Sequence, residues 1–219
     1  MSRTSSPIAL EAPRQASKVL LHACCAPCAS AIVEAMLQNG LQPTLYFCNP
    51  NIHPHEEYLR RKNECQRYAH TLGVPFVEAE YDHRQWLQQV RGLEQEPERG
   101  LRCTQCFRLR LLQAARYAQA HGFQVIATTL ATSRWKDLDQ VAAASQWAAA
   151  QLPDLTFWPA NWRKNGLSER RRQIIAEQHF YQQKYCGCEF AWQMQQNPNT
   201  PVQTTKKPTF VTPPKPTGL

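Results

Sequence analysis

Seven of the nine cysteines fall into three tight groups far apart in the chain: Cys24, Cys25 and Cys28 in HACCAPCAS, Cys103 and Cys106 in RCTQCFRLR, and Cys186 and Cys188 in YCGCEF. Thiolates are soft ligands, and this grouping suits a fold that gathers them around an iron–sulfur cluster or zinc. One C-x-x-C pair alone serves zinc, thiol exchange or a cluster equally well. Gly187, between Cys186 and Cys188, lets the backbone curl so that both sulfurs can reach one metal. Pro27 fits the first turn of a helix, which puts Cys28 near a helix N-terminus whose partial positive charge favours thiolate. Burial competes as an explanation, because free cysteine packs well in cores. It is the favoured reading for Cys48, at the end of an apolar run, and Cys65, inside EEYLRRKNECQRYAHTL.

The elements that must position these thiols are legible as alternation. Short apolar, β-rich runs, KVLLHA (18–23), TLYFC (44–48), VPFVEAEY (74–81), QVIATTL (124–130) and LTFWP (155–159), are separated by longer helical patterns. Gly40 and Gly122 mark helix stops. Over 104–121, Phe107, Leu111, Ala114 and Ala118 make one apolar helix face. The order predicts an α/β fold, a parallel sheet of about five strands with helices on both faces, Rossmann-like in plan. Ligands of such a sheet sit beyond the carboxyl ends of its strands, where HACCAPCAS falls.

A chain of 219 residues with 42% apolar residues supports one catalytic domain, expected over 18–196. Residues 1–17 read as a flexible lead. Residues 197–219, with six of the sixteen prolines and no acidic residue, read as a disordered, Lys-containing tail. No apolar run is long enough to cross a membrane and no secretion signal is evident, so the protein is expected in the cytoplasm, where thiols stay reduced. The formal charge is +8, and removing the three tail lysines still leaves +5. A basic body suits a polyanionic partner.

In order along the chain, LLHACCAPCAS, CNPNIHPHEEYLRRKNE, YDHRQWL, GLEQEPERGLRCTQCFRLRL, TTLATSRWKD and RKNGLSERRRQIIAEQHFYQQKYCGC resemble the epoxyqueuosine reductase family of the QueH type, over about 18–190. The resemblance implies a fold of the adenine-nucleotide α-hydrolase-like type and a cobalamin-independent enzyme that removes the epoxide oxygen of epoxyqueuosine in tRNA, the last step of queuosine synthesis. It implies a 4Fe-4S cluster with an adjacent mononuclear metal ion, iron, fed by an external electron donor such as ferredoxin or flavodoxin. Carried over position by position, Cys24, Cys25, Cys103 and Cys106 are assigned to the cluster, and Cys28, Cys186 and Cys188 are left for the adjacent metal.

That chemistry needs protons and a tRNA surface. His22, beside the cysteine pair, and Tyr81, Asp82 and His83, after the third strand, are the candidate proton donors; for Asp82 a helix N-cap is the competing role. Arginine-rich stretches at 99–116 and 163–172 nominate Arg108 and Arg171 for tRNA phosphates, against the alternative of a solvated helix face. Trp135, Trp158 and Trp162 could stack bases or fill the core. Two rivals share some features. A cluster-dependent PP-loop tRNA thiolase is disfavoured because HACCAPCAS is no Ser/Gly-rich phosphate loop, and a zinc-stabilised RNA-binding module would be colourless and redox silent.

Overall fold

The computed structural model describes residues 8–133 and 136–196. Five strands, β1 (Lys18–His22), β2 (Gln42–Phe47), β3 (Phe76–Glu78), β4 (Val125–Thr128) and β5 (Thr156–Phe157), form one sheet in the order β3-β2-β1-β4-β5. Every pairing is parallel, with Leu21 opposite Leu45 and Ala127 across the two central seams. The helices are α1 (Ala26–Gln38), α2 (His55–Thr71), α3 (His83–Gln89), α4 (Leu101–Ala120), α5 (Leu138–Ala149), α6 (Leu167–Glu177) and α7 (Glu189–Gln196). This is the α/β architecture that the alternation predicts.

Both sheet faces are covered, and the β1 residues Val19, Leu20 and Leu21 are fully buried for that reason. Leu20, Tyr46 and Ile126 pack against Ala114, Ala115 and Ala118 of α4, while Phe107 and Leu111, expected on the same face as Ala114 and Ala118, join the other core cluster. Val19, Leu21, Leu45 and Phe47 face the opposite way and share a core with α1 and α2. The chain runs from β1 to β2 on one side and reaches β4 on the other. The carboxyl ends of β1 and β4 therefore diverge into a crevice at the switch in strand order.

Residues 8–16, expected in a flexible segment, lie on the body: Ala12 is buried, and Ile8, Leu10 and Ala16 pack on the core. Asn39 fastens them by accepting from the Leu10 amide at 3.1 Å and donating to the Ile8 carbonyl at 2.7 Å. Scattered Ser, Pro and Arg hide this because only three or four apolar contacts and one side-chain clamp are needed. The proposed tail, 197–219, and the start of the lead lie outside the described residues.

Candidate metal centre

The first cysteine group sits where β1 gives way to α1. Cys25 is the N-cap residue of α1 and Pro27 occupies its first turn, so the trio is packed into one tight bend. Thr129, just past β4, closes the bend: its hydroxyl accepts from the Cys24 amide at 3.0 Å and donates to Cys24 Sγ at 3.2 Å. Cys24 and Cys25 sulfurs are 3.8 Å apart, and all three sulfurs lie within 4.8 Å of one another. Hydrogen bonds from the Cys25 and Cys28 thiols hold the Cys24 pKa well below its ordinary value, aided by the Lys136 charge. Cys28 is pushed up to about 12, first through its bond to Cys24 and then by burial. The thiolate form is favoured most at Cys24, where the hydrogen-bond donors gather, rather than at Cys28 near the helix N-terminus.

The other four thiols meet at one cavity. Cys103 and Cys106 lie in the first two turns of α4, Cys186 and Cys188 flank Gly187, and all four line a space shared with Trp86, Arg102, Arg110 and Lys136. The CGC loop is held by strand-like contacts, with Ile52 bridging Cys188 and the His53 amide donating to the Gly187 carbonyl at 2.8 Å. Gly187 has φ 107°, and a Cβ there would stand 2.9 Å from both Arg61 Nη1 and Ile52 Cγ1. Only glycine meets both demands. The Cys186 pKa falls to about 5, chiefly because Cys188 donates to it, with Lys136 and Arg61 adding positive charge. Burial pushes Cys103 up to about 12.

Two connections join the groups. Asn49 donates to the Ala23 carbonyl at 2.9 Å and accepts from Arg110, whose Nη1 reaches Cys106 Sγ at 4.0 Å. Lys136 is the second link. Burial lowers its pKa, but attraction to Cys186, Cys24 and Cys103 outweighs that, and the ammonium form is favoured.

The donor set fits a thiolate-bound metal group. All nine cysteines are free, and the seven grouped ones are soft ligands brought to neighbouring positions. Four buried polar atoms without a hydrogen-bond partner, Asn51 Oδ1, Trp86 Nε1, Arg102 Nε and Gln140 Oε1, belong to side chains that line the four-cysteine cavity. Each such atom costs about 1–3 kcal/mol when left unsatisfied, and their gathering around one thiol-lined space marks a polar guest there.

The remaining nominated residues are placed differently. His22 is buried beneath the trio, with Nδ1 against Thr128 Oγ1 at 2.7 Å and Nε2 against the Cys48 carbonyl at 3.1 Å. Burial, then the Arg110 charge, lower its pKa to about 3, so it is neutral and both ring nitrogens are in use. Tyr81 donates to the Ile52 carbonyl at 2.7 Å, and Asp82 caps α3 by accepting from the Gln85 amide. Arg108 lies over the Trp147 ring, and Arg171 donates to the Thr132 carbonyl at 3.1 Å. Trp158 and Trp162 are buried against each other, 5.2 Å between centroids, which removes them as base-stacking surfaces; Trp135 lies outside the described residues. Cys48 and Cys65 are fully buried, as packing cysteines are.

Sequence reasoning missed Arg61, Arg102, Arg110 and Lys136. Two of them, Arg102 and Arg110, belong to the arginine-rich stretch 99–116 that looks like surface. The signal that marks them is helical phase: Arg102, Cys106 and Arg110 recur at i, i+4 and i+8 on the buried side of α4.

The sequence model of a family described as Epoxyqueuosine reductase QueH matches residues 19–194. A protein of that name from Haemophilus influenzae is 48% identical over 182 residues, 83% of this chain and 74% of its own. One from Acinetobacter baylyi is 44% identical over 195 residues, covering 86% and 89%, and one from Staphylococcus epidermidis is 34% identical over 182 residues, covering 80% and 76%. With the family match covering residues 19–194 and relatives of that name at 44–48% identity, the chain belongs to the epoxyqueuosine reductase QueH family, which makes it an oxidoreductase.

Proposed function

We propose that this chain removes the epoxide oxygen of epoxyqueuosine in tRNA, giving queuosine without cobalamin as the last step of queuosine synthesis. The observation that carries the reading is the gathering of Cys103, Cys106, Cys186 and Cys188 around one cavity with Lys136, tied through Arg110 and Asn49 to the turn that holds Cys24, Cys25 and Cys28. Converting an epoxide to an alkene takes up two electrons and two protons, breaks both C–O bonds and releases water. When bound, a 4Fe-4S cluster supplies electrons singly and an adjacent iron ion supplies a Lewis acid.

Cys24, Cys25, Cys103 and Cys106 would hold the cluster, and Cys28, Cys186 and Cys188 the adjacent ion, with a coordination position left for substrate. The Ala23–Asn49–Arg110–Cys106 chain supports this division, because it ties the turn after β1 to the start of α4. Sulfur spacing favours a second one. The 3.8 Å between Cys24 and Cys25 matches the spacing of about 3.8 Å between two thiolates on one tetrahedral metal with bonds of about 2.3 Å. Cys24, Cys25 and Cys28 would then take the single ion, and the four cavity cysteines the cluster.

The chain's own side chains bind, orient and protonate. Trp86 and Phe107 form an apolar wall of the cavity that limits water. Lys136, an ammonium inside that cavity, is the group placed to protonate the oxygen as it leaves. His22, Tyr81 and Asp82 spend their polar atoms within the fold and serve as supports of the site. Arg108 and Arg171 join the basic surface offered to tRNA phosphates. The electrons come from an external low-potential donor such as ferredoxin or flavodoxin. A tRNA substrate places the protein in the cytoplasm, and no helix among the described residues is long and apolar enough to cross a membrane.

The test is direct. Anaerobically loaded protein, given epoxyqueuosine-containing tRNA and a low-potential reductant with neither cobalamin nor ATP, should yield queuosine. Fully loaded protein that yields none overturns the assignment, and ATP-dependent sulfur transfer to tRNA would establish the thiolase instead.

A further inference from the structure

Apart from the cysteine centre, the described residues bring together another set of metal-ligating side chains: His53, His83 and Glu189, with one ligand atom from each inside 4.8 Å of the others. They come from three places, the β2–α2 loop, the start of α3 and the start of α7. None of them lines the four-cysteine cavity.

Their hydrogen bonding calls for a positive centre. His83 Nδ1 stands 2.7 Å from the Pro50 carbonyl oxygen, which only accepts, so Nδ1 carries the proton. Its Nε2 then faces Glu189 Oε2 at 3.0 Å. In a neutral imidazole that is a lone pair against a carboxylate oxygen, which is unfavourable unless a cation joins them. A second proton on the ring would satisfy this one contact. It would not draw in the His53 nitrogen, whereas a metal ion accepts from all three.

The dimensions agree. Ligand atoms bonded at about 2.0–2.2 Å to a tetrahedral ion stand about 3.3 Å apart. The His83–Glu189 separation is close to that already, and a His53 ring nitrogen lies within 4.8 Å of both other ligand atoms. An outer shell is in place as well: the Pro50 carbonyl fixes the His83 tautomer, Gln193 donates to Glu189 Oε1 at 3.2 Å, and Trp192 lies edge-on to His53 at 5.6 Å. His83 and Glu189 retain 16% and 22% side-chain exposure, enough for a water to complete the coordination.

We propose that His53, His83 and Glu189 form a separate binding site for a borderline divalent ion such as Zn2+, and that the ion clamps the CGC loop to the body. Its position gives the clamp its leverage: the His53 amide already bonds the Gly187 carbonyl, Ile52 bridges Cys188, and Glu189 follows directly. An ion that binds only the assembled ligands stabilises that attachment by mass action. The proposal does not depend on the reaction assigned to the thiolate centre.

The experiment titrates cluster-loaded protein anaerobically with Zn2+, counts metal after desalting, and repeats the titration with Co2+ as a spectroscopic probe. The expected result is one equivalent retained beyond the loaded iron, with a raised Tm. His53→Ala and Glu189→Gln should each lose that equivalent and the Tm rise, with iron and sulfide unchanged. Co2+ bound there should show weak visible bands of nitrogen and oxygen ligation, without intense thiolate charge transfer. No added equivalent in the wild-type protein, its retention in both variants, or thiolate charge transfer from the bound Co2+ each overturns the proposal. If either variant does not fold, the wild-type Co2+ spectrum decides alone.

Discussion

Arg61, in the middle of α2, donates from Nη1 to the carbonyl oxygen of Cys186 at 3.2 Å, across 125 residues of chain. Its Nη2 reaches the Tyr185 carbonyl, its Nε bonds Glu57 at 2.7 Å, and the side chain is only 2% exposed. A buried charge is tolerated because Glu57 neutralises it and carbonyls use its remaining protons. The result is that α2 sets the position of a loop whose two thiols face the metal centre.

Arg61→Met should therefore cost about 3 kcal/mol or more, since it strands a largely buried Glu57. Urea unfolding measures the loss, and iron content measures the loosening of the CGC loop. Unchanged values of both would show that the loop is held by other contacts.

Gly187→Ala forces a side chain into a left-handed backbone position and against Arg61 and Ile52. A cost of about 1–3 kcal/mol is expected from the backbone alone. The distinguishing readout is bound metal at the CGC loop, which should fall with stability; a variant that binds and folds like the parent would show that the loop re-forms elsewhere.

The cysteine divisions separate by substitution. Cys103→Ser should lose most of the 4Fe-4S absorbance under either one. Cys186→Ser and Cys188→Ala should spare much of the cluster and abolish turnover if Cys24, Cys25, Cys103 and Cys106 hold it, and should destroy it if the four cavity cysteines do. Cys65→Ser should leave iron unchanged, because that thiol is buried in the core.

Lys136→Gln should lower single-turnover formation of queuosine by about a hundredfold, the contribution of a positioned acid. Iron, sulfide and tRNA affinity should stay near wild type. Full activity in that variant would return the proton to solvent or a thiol.

Arg108→Glu and Arg171→Gln should weaken tRNA binding and flatten its salt dependence by about one unit of slope per lost phosphate contact. Affinity measured at several salt concentrations decides this. A slope identical to wild type would leave the two arginines their structural roles against Trp147 and Thr132.

The sequence by itself determined the architecture and the inventory of the site. Five apolar runs separated by helix-length segments leave little choice but a covered parallel sheet, and each of the five forms a strand, because strand and helix periodicity are local properties of the chain. The clustering of Cys24, Cys25, Cys28, Cys103, Cys106, Cys186 and Cys188, and the family they indicate, are local patterns too. What only the tertiary structure decided is which groups face one another. Arg102 and Arg110 read as tRNA-facing or solvated charge until helical phase and neighbouring carbonyls bury them, Arg61 gives no signal at all, and His22 reads as a proton donor until Thr128 and the Cys48 carbonyl occupy its two nitrogens. Along the chain His83 reads as a candidate proton donor and His53 and Glu189 carry no signal; the three become a constellation only when the CGC loop docks on the β2–α2 loop. Hydrogen bonds and Coulomb forces act over a few ångströms of space, and sequence separation carries no record of that distance.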